Sequence, residues 1–185
     1  VLNEKFQNFV DNTLGIIEKE RPADLSELLA LPMADSTVQE TLANLSGTIG
    51  EKMEVRNYRL VKTEGSLAVY SHMGGRIGVV VALDKDGQED LAYDIAMQVA
   101  AAAPRYLEPS EVPAQEVDKE KEIYRAQLLK EGKPEAMIDK ILEGKIAKYY
   151  EEVCLLNQEY IKDDKNKVSD ILGEAKIEKF VRLSL

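Results

Sequence analysis

His72 and Cys154 are the only histidine and the only cysteine in the chain, and together they limit the chemistry on offer. A Cys–His nucleophile pair needs its side chains in contact, and residues this far apart in sequence meet only if the fold brings them together. The plainer readings are a small buried apolar residue in a strand for Cys154 and a solvent-exposed turn residue for His72. A single histidine leaves little scope for a His-based metal site. Asp84-Lys85-Asp86-Gly87 hints at a calcium loop. Its glycine comes fourth, however, where the EF-hand pattern wants it sixth with a glutamate at the twelfth position, so a hairpin-to-helix turn is expected. Gly74, Gly75 and Gly78 do not fit G-x-G-x-x-G, and G-x-x-x-x-G-K-[ST] is absent. They read as two turn glycines and one close-packing glycine. Tyr160-Ile161, just before a charged run, reads on its own as the edge of a strand. No set of residues points to covalent catalysis, a metal or a cofactor, although an enzyme with a cleft that the sequence does not show is left open.

The composition agrees with a folded, acidic protein. The chain has 185 residues, 44% hydrophobic and 31% charged, with a formal net charge of −10. That is enough length for a real core, in one large domain or two small ones. A duplex nucleic-acid binder normally shows a basic face, because neutralising phosphate drives its affinity; direct nucleic-acid binding is not expected here. No apolar run approaches the ~20 residues that span a bilayer, so no membrane partner is expected. VLNEKFQNFV at the start lacks a basic region followed by an apolar stretch. The single cysteine suits a reducing compartment. A helical pattern begins almost at Val1, which reads as a piece of a longer chain.

The elements that must position these residues can be read along the chain. Phe6, Phe9, Val10, Leu14 and Ile17 form one stripe at helical spacing over 3–20, with Asn3 as cap and Arg21-Pro22 as the stop. Residues 23–35 read as a short helix and loop. Ser36-Thr37-Val38-Gln39 fits a capping box for a helix lining up Val38, Leu42, Leu45, Ile49 and Met53. EVRNYRLVKT (54–63) is β-prone with imperfect alternation. Residues 66–72 and 76–83 form a hairpin around Met73-Gly74-Gly75, and both faces of the second strand are apolar or small, as in a central covered strand. A helix over 88–103 carries Leu91, Ile95, Val99 and an alanine run, and Pro104 ends it. EPSEVP (108–113) breaks the composition. Two helices follow, the first mostly charged with Ile123, Leu128 and Leu129 as anchors. The second carries Met137, Ile138, Ile141, Leu142, Ile146, Tyr149 and Tyr150, and the two join at Gly132-Lys133-Pro134. This predicts an antiparallel helical hairpin projecting into solvent. The tail reads as a strand over 154–161, a turn over 162–167, a short helix over 168–175 and a strand over 177–185. The hairpin therefore interrupts a sheet domain, and helices followed by a strand at 3–63 are weakly echoed at 88–185.

Several segments carry a resemblance. His72-Met73-Gly74-Gly75-Arg76-Ile77-Gly78-Val79-Val80-Val81 resembles the H-x-G-G-R-I-G-V-L-V hairpin of elongation factor Ts. Asn3-Glu4-Lys5-Phe6 resembles the helix start after that family's T-D-F-V motif, of which Val1 would be the last residue. Ile49-Gly50-Glu51 through Val55-Arg56 resembles I-G-E-N-I-x-I-R-R. Residues 94–101, closing at Pro104, resemble I-A-M-x-V-A-A. Gly132-Lys133-Pro134 and Glu143-Gly144-Lys145 resemble its coiled-coil hairpin, and residues 155–163 its L-L-x-Q-x-[FY]-V-x-D strand. The matches run in order from Val1 to about Lys167, and the tail strand fits as well.

The resemblance implies an α+β fold of two repeats, each a small antiparallel sheet with helices, the second interrupted by a projecting coiled coil. On that pattern residues 1–64 form an incomplete first core repeat, 65–108 with 153–185 the second, and 109–152 the inserted hairpin. It implies a cytoplasmic guanine nucleotide exchange factor whose partner is elongation factor Tu. Such a factor does no covalent chemistry and needs no cofactor; it distorts the partner's magnesium and GDP site and favours the nucleotide-free state. The positions it implies for partner contact are His72, Met73, Ile49 and Gly50 toward the nucleotide-binding domain, Tyr160 and Ile161 toward the C-terminal barrel, and Val1. The T-D-F residues, the N-terminal helical domain and the first repeat's opening hairpin of the family pattern are not in this sequence, which predicts weak binding and poor exchange. A homodimer is left open, as is a non-catalytic interaction module working through the helical hairpin.

Overall fold

The computed structural model describes residues 3–185; Val1 lies outside the described residues. The chain divides into two compact units, residues 1–61 and 62–185.

The first unit is built on helix α1 (Glu4–Glu20). Asn3 starts it, its side-chain oxygen accepting from the amides of Lys5 at 2.9 Å and Phe6 at 3.3 Å. Phe9, Thr13 and Ile17 are its buried positions, while Leu14 is 56% exposed. The stripe thus runs through Thr13 and not Leu14, and the Thr13 hydroxyl is satisfied by the Phe9 carbonyl at 2.7 Å. Helix α2 (Leu25–Ala30) is capped by Asp24. A two-residue ribbon follows, β1 (Pro32–Met33) against β2 (Ser36–Thr37). Helix α3 (Val38–Ile49) opens on a capping box made by Thr37 and Glu40. The box sits one residue beyond the predicted Ser36–Gln39 pair, and the Ser36 hydroxyl is engaged instead by the Thr41 hydroxyl at 2.9 Å. Gly50, at φ 79°, ends α3 in the left-handed region. Phe9, Met33, Val38 and Leu42 form the core of this unit, with Met53 and Val55 packed against it. Met53 therefore packs from beyond the helix end. Residues 54–63 form no strand, contrary to the sequence expectation. Their β-prone residues meet no partner strand among the described residues, and an unpaired strand leaves its backbone groups unsatisfied.

The second unit contains a three-stranded antiparallel sheet of β3 (Leu67–His72), β4 (Ile77–Leu83) and a later strand that pairs on the far side of β4. Helix α4 (Glu89–Ala102) packs Ala92, Ile95, Ala96, Val99 and Ala100 on the face carrying Ala68, Val79, Val81 and Leu83. Its alanines let the helix backbone approach the sheet closely. On the opposite face Val69 and Leu183 stay exposed while Ala82 is buried and Val80 half-buried, so β4 is central and that face is covered only in part. Helices α5 (Ala114–Lys130) and α6 (Glu135–Val153) form the hairpin. The turn is a Schellman motif: the Lys133 amide reaches the Leu128 carbonyl at 3.1 Å, the Gly132 amide reaches the Leu129 carbonyl at 3.0 Å, and Gly132 has φ 73°. The hairpin closes through Leu128 with Ile138 and Leu142, and through Val117 with Ile146, Tyr149 and Val153. Ile123 and Leu129, expected as anchors, are exposed, and Val117 anchors instead.

The tail departs furthest from expectation. Residues 155–157 are a 3-10 turn, and β5 (Glu159–Tyr160) pairs with β6 (Asp163–Lys167). The charged segment expected as a turn is therefore a strand, because its backbone finds β5 whatever its side chains prefer. Helix α7 (Val168–Ile171) and β7 (Ile177–Ser184), the third strand of the sheet, complete the chain.

Candidate partner-binding surface

His72 ends β3 and is exposed. Its ring stacks on Tyr70, with centroids 5.8 Å apart, and Nδ1 lies 3.0 Å from the Tyr70 hydroxyl. When that hydroxyl donates to Nδ1, the imidazole proton sits on Nε2, the nitrogen not engaged by Tyr70. Tyr70 is itself steadied edge-on by Tyr93 of α4, at 5.5 Å. Met73 follows at φ 53°, a left-handed position rare for a side-chain-bearing residue, and is 61% exposed. The hairpin tip thus offers an oriented ring and a flexible thioether beside the glycine turn.

Ile49 and Gly50 end α3 in the other unit. Ile49 is half-buried and Gly50 exposed. The Gly50 amide bonds the Ser46 carbonyl at 2.9 Å, and the Ser46 hydroxyl ties down the chain beyond, donating to the Glu51 carbonyl and accepting from the Met53 amide.

Tyr160 and Ile161 lie at the end of β5. The Tyr160 hydroxyl donates to Asp94 Oδ2 at 2.8 Å, and Lys162 Nζ pairs with Asp94 Oδ1 at 2.6 Å. Burial would raise the Asp94 carboxyl, but the hydrogen bonds from Lys162 and Tyr160 and the Lys162 charge outweigh it and hold the group below its ordinary value. Burial, then the bond to Asp94, pushes Tyr160 up to about 12. The Ile161 side chain is 47% exposed.

Cys154 sits at the hairpin base with Val112, Val117, Tyr149 and Val153. Burial, then the Glu111 carboxylate, pushes its thiol up to about 11, the opposite of an activated nucleophile. Cys154 packs among the side chains at the hairpin base and His72 bonds Tyr70, so the two are engaged in separate places. Beside it, Glu116 accepts from the Tyr106 hydroxyl at 2.8 Å and from Tyr149, and pairs with Arg105 at 2.6 Å. This knot fastens α5 and α6 to the segment after α4. Asp84, in the calcium-like segment, accepts from the Lys176 amide at 2.6 Å. No group of three or more metal-ligating side chains occurs among the described residues, and no helix among them is long and apolar enough to cross a membrane.

A family model described as Elongation factor TS matches residues 1–185. The chain belongs to the elongation factor Ts family. It is 42% identical over 179 residues to an elongation factor Ts of Clostridium perfringens, covering 94% of this chain and 59% of that protein. It is 40% identical over 199 residues to elongation factor Ts of a Nitratiruptor species, covering 99% and 65%, and 40% identical to that of Nautilia profundicola, covering 98% and 65%. The chain therefore spans about three fifths of the length of these relatives.

In elongation factor Ts terms, the H-x-G-G-R-I-G-V segment is the β3–β4 hairpin, I-G-E is the α3 terminus, and L-L-x-Q-x-[FY]-V-x-D runs through the 3-10 turn and β5. His72 and Met73 are adjacent at one tip, and Tyr160 and Ile161 share one edge. The sequence reading missed Tyr70 and Tyr93, which support His72, and Asp94 and Gln98, which support the β5 end. For Gln98 a signal existed: a polar residue between Ile95, Ala96 and Val99 on a buried helix face.

Proposed function

We propose that this chain acts in translation elongation by binding elongation factor Tu and promoting release of its GDP. Family membership supports the role. The observation that carries the site is His72 at the β3–β4 tip, its ring held by Tyr70 beside exposed Met73. Ile49 and Gly50 are the second contact with the nucleotide-binding domain, and Tyr160 and Ile161 the contact with the C-terminal barrel. The side chains act only by binding, with no covalent step, in the compartment where translation occurs. A factor that favours the nucleotide-free partner must, by linkage, weaken GDP. Calorimetry should therefore show the chain binding nucleotide-free elongation factor Tu at least about tenfold more tightly than the GDP-bound form. His72→Ala should weaken that binding by about 1–2 kcal/mol. Equal affinity for the two forms would refute the reading.

A second reading, a module that binds through the helical hairpin, draws on Ile123, Leu129 and Met137, which are exposed there. It predicts that Leu129→Lys, and not His72→Ala, abolishes partner binding.

A further inference from the structure

We propose that Gln98 and Asp94, one turn apart on α4, are positioning residues that hold Tyr160 and Ile161 in the conformation in which they meet the partner. The inference rests on the reading that residues 160 and 161 contact elongation factor Tu.

Gln98 is 1% exposed in an otherwise apolar stretch of helix. A buried amide there is tolerated only if both its ends are bonded, and they are. Its oxygen accepts from the Ile161 amide at 2.8 Å. Its nitrogen donates to the Glu159 carbonyl at 3.1 Å and to the Gln158 side-chain oxygen at 3.2 Å. The side chain thus bonds residues 159 and 161 from one side, as the edge of a neighbouring strand would. Gln158 passes the tether on, donating to the Glu152 carbonyl at 3.0 Å at the end of the hairpin. One turn earlier on α4, Asp94 takes the Tyr160 hydroxyl and the Lys162 ammonium, one on each oxygen.

This clasp is needed because the β-ladder is too short to fix the segment. β5 and β6 pair at only two positions, Glu159 with Lys167 and Tyr160 with Asp163, with a register shift between them. Ile161 lies beyond the last pair. Its backbone is set by Gln98, and that leaves the Ile161 side chain 47% exposed. The Tyr160 ring is anchored at its far end by Asp94. Ordering residues 159–162 before binding removes an entropic cost that the partner's contacts would otherwise have to overcome.

The test uses Gln98→Met, which keeps roughly the volume and removes the bonds. Amide hydrogen exchange at Ile161 should speed up about tenfold or more, while amides of α4 and β4 keep their protection. Affinity for elongation factor Tu should fall about fivefold to tenfold, as it should for Ile161→Ala, and the double variant should lose little more than either. Asp94→Asn, which keeps an acceptor for Tyr160 but loses the Lys162 charge pair, gives a milder version if Gln98→Met does not fold. A merely structural role would lower the melting temperature and give additive binding losses with Ile161 exchange unchanged; that result overturns the proposal. If the parent chain, extended by the family's T-D-F residues and N-terminal helical domain, itself fails to bind elongation factor Tu, the partner contact is refuted, while Ile161 exchange still decides whether Gln98 fixes the segment.

Discussion

Gly65→Ala is expected to destabilise the second unit by about 3 kcal/mol, the upper end of the usual cost of forcing an extra methyl into packed structure. A β-carbon at this position would stand 2.3 Å from the Leu83 carbonyl oxygen, 2.6 Å from the Asp84 carbonyl carbon and 2.8 Å from the Lys85 nitrogen. All three are backbone atoms, so no side chain can swing aside. The approach is held on both sides. The Thr63 hydroxyl donates to the Leu83 carbonyl and accepts from the Gly65 amide, each at 2.9 Å. The Ser66 amide reaches the Lys85 carbonyl at 2.9 Å, and the Leu83 amide the Ser66 carbonyl at 2.8 Å. Relief would pull Leu83 out of the core it shares with Ile95 and Val99, at the base of the hairpin that carries His72. Urea unfolding should show the loss as a lower midpoint with unchanged slope. Gly78→Ala is the control: nothing lies within 4 Å of a β-carbon there, so its midpoint should shift by no more than about 0.5 kcal/mol equivalent. The contrast also revises the glycine expected to pack closely. It is Gly65, which no sequence motif marks.

Stability should fall steeply in alkali, beginning near pH 9. Cys154 is pushed from its ordinary 9.0 up to about 11 by burial and then the Glu111 carboxylate. Tyr149 rises from 10.0 to about 12 through burial and then its bond to Glu116, with Arg105 pulling the other way. Tyr160 moves as far. In each case the folded state holds its proton more tightly than the unfolded chain. The stabilisation is fully present below the unfolded value and is lost as pH rises through the folded one. For Cys154 that window is about 9 to 11, and for the tyrosines about 10 to 12. Buried Cys154 and Tyr149 should each account for on the order of 2 kcal/mol across their windows. Urea midpoints taken at intervals from pH 8 to 12 should hold to about pH 9 and fall from there, and Tyr149→Phe should flatten the upper part of the fall. A midpoint constant to pH 11 would show that these groups ionise as freely folded as unfolded.

Much of this was legible in the residues, and the failures have physical causes. Helices α1, α3, α4, α5 and α6 follow from apolar residues at steps of three and four, and the β3–β4 hairpin from its glycine turn. Helix starts are less sharply written. Ser36–Gln39 and Thr37–Glu40 both satisfy a capping pattern; in the structure the Ser36 hydroxyl meets that of Thr41 at 2.9 Å, and the Thr37 hydroxyl takes the cap. Residues 54–63 and 162–167 depart from expectation in opposite directions, because a strand exists by virtue of its partner, which local composition does not report. Of the candidate site, His72, Met73, Ile49, Gly50, Tyr160 and Ile161 came from family resemblance and not from spacing. Of their supports, Tyr70 stands two residues before His72 on the same strand, whereas Tyr93, Asp94 and Gln98 act between elements from about 20 to more than 60 positions apart. Gln98 alone betrayed itself, as a polar residue on a buried helical face.

The most direct test of the exchange-factor reading is release of a fluorescent GDP analogue from elongation factor Tu. It should be run with this chain extended by the T-D-F residues that the family motif places before Val1 and by the family's N-terminal helical domain. The account predicts faster release than from elongation factor Tu alone, and a smaller acceleration when His72→Ala is introduced. An extended protein that neither binds elongation factor Tu nor speeds the release would contradict it.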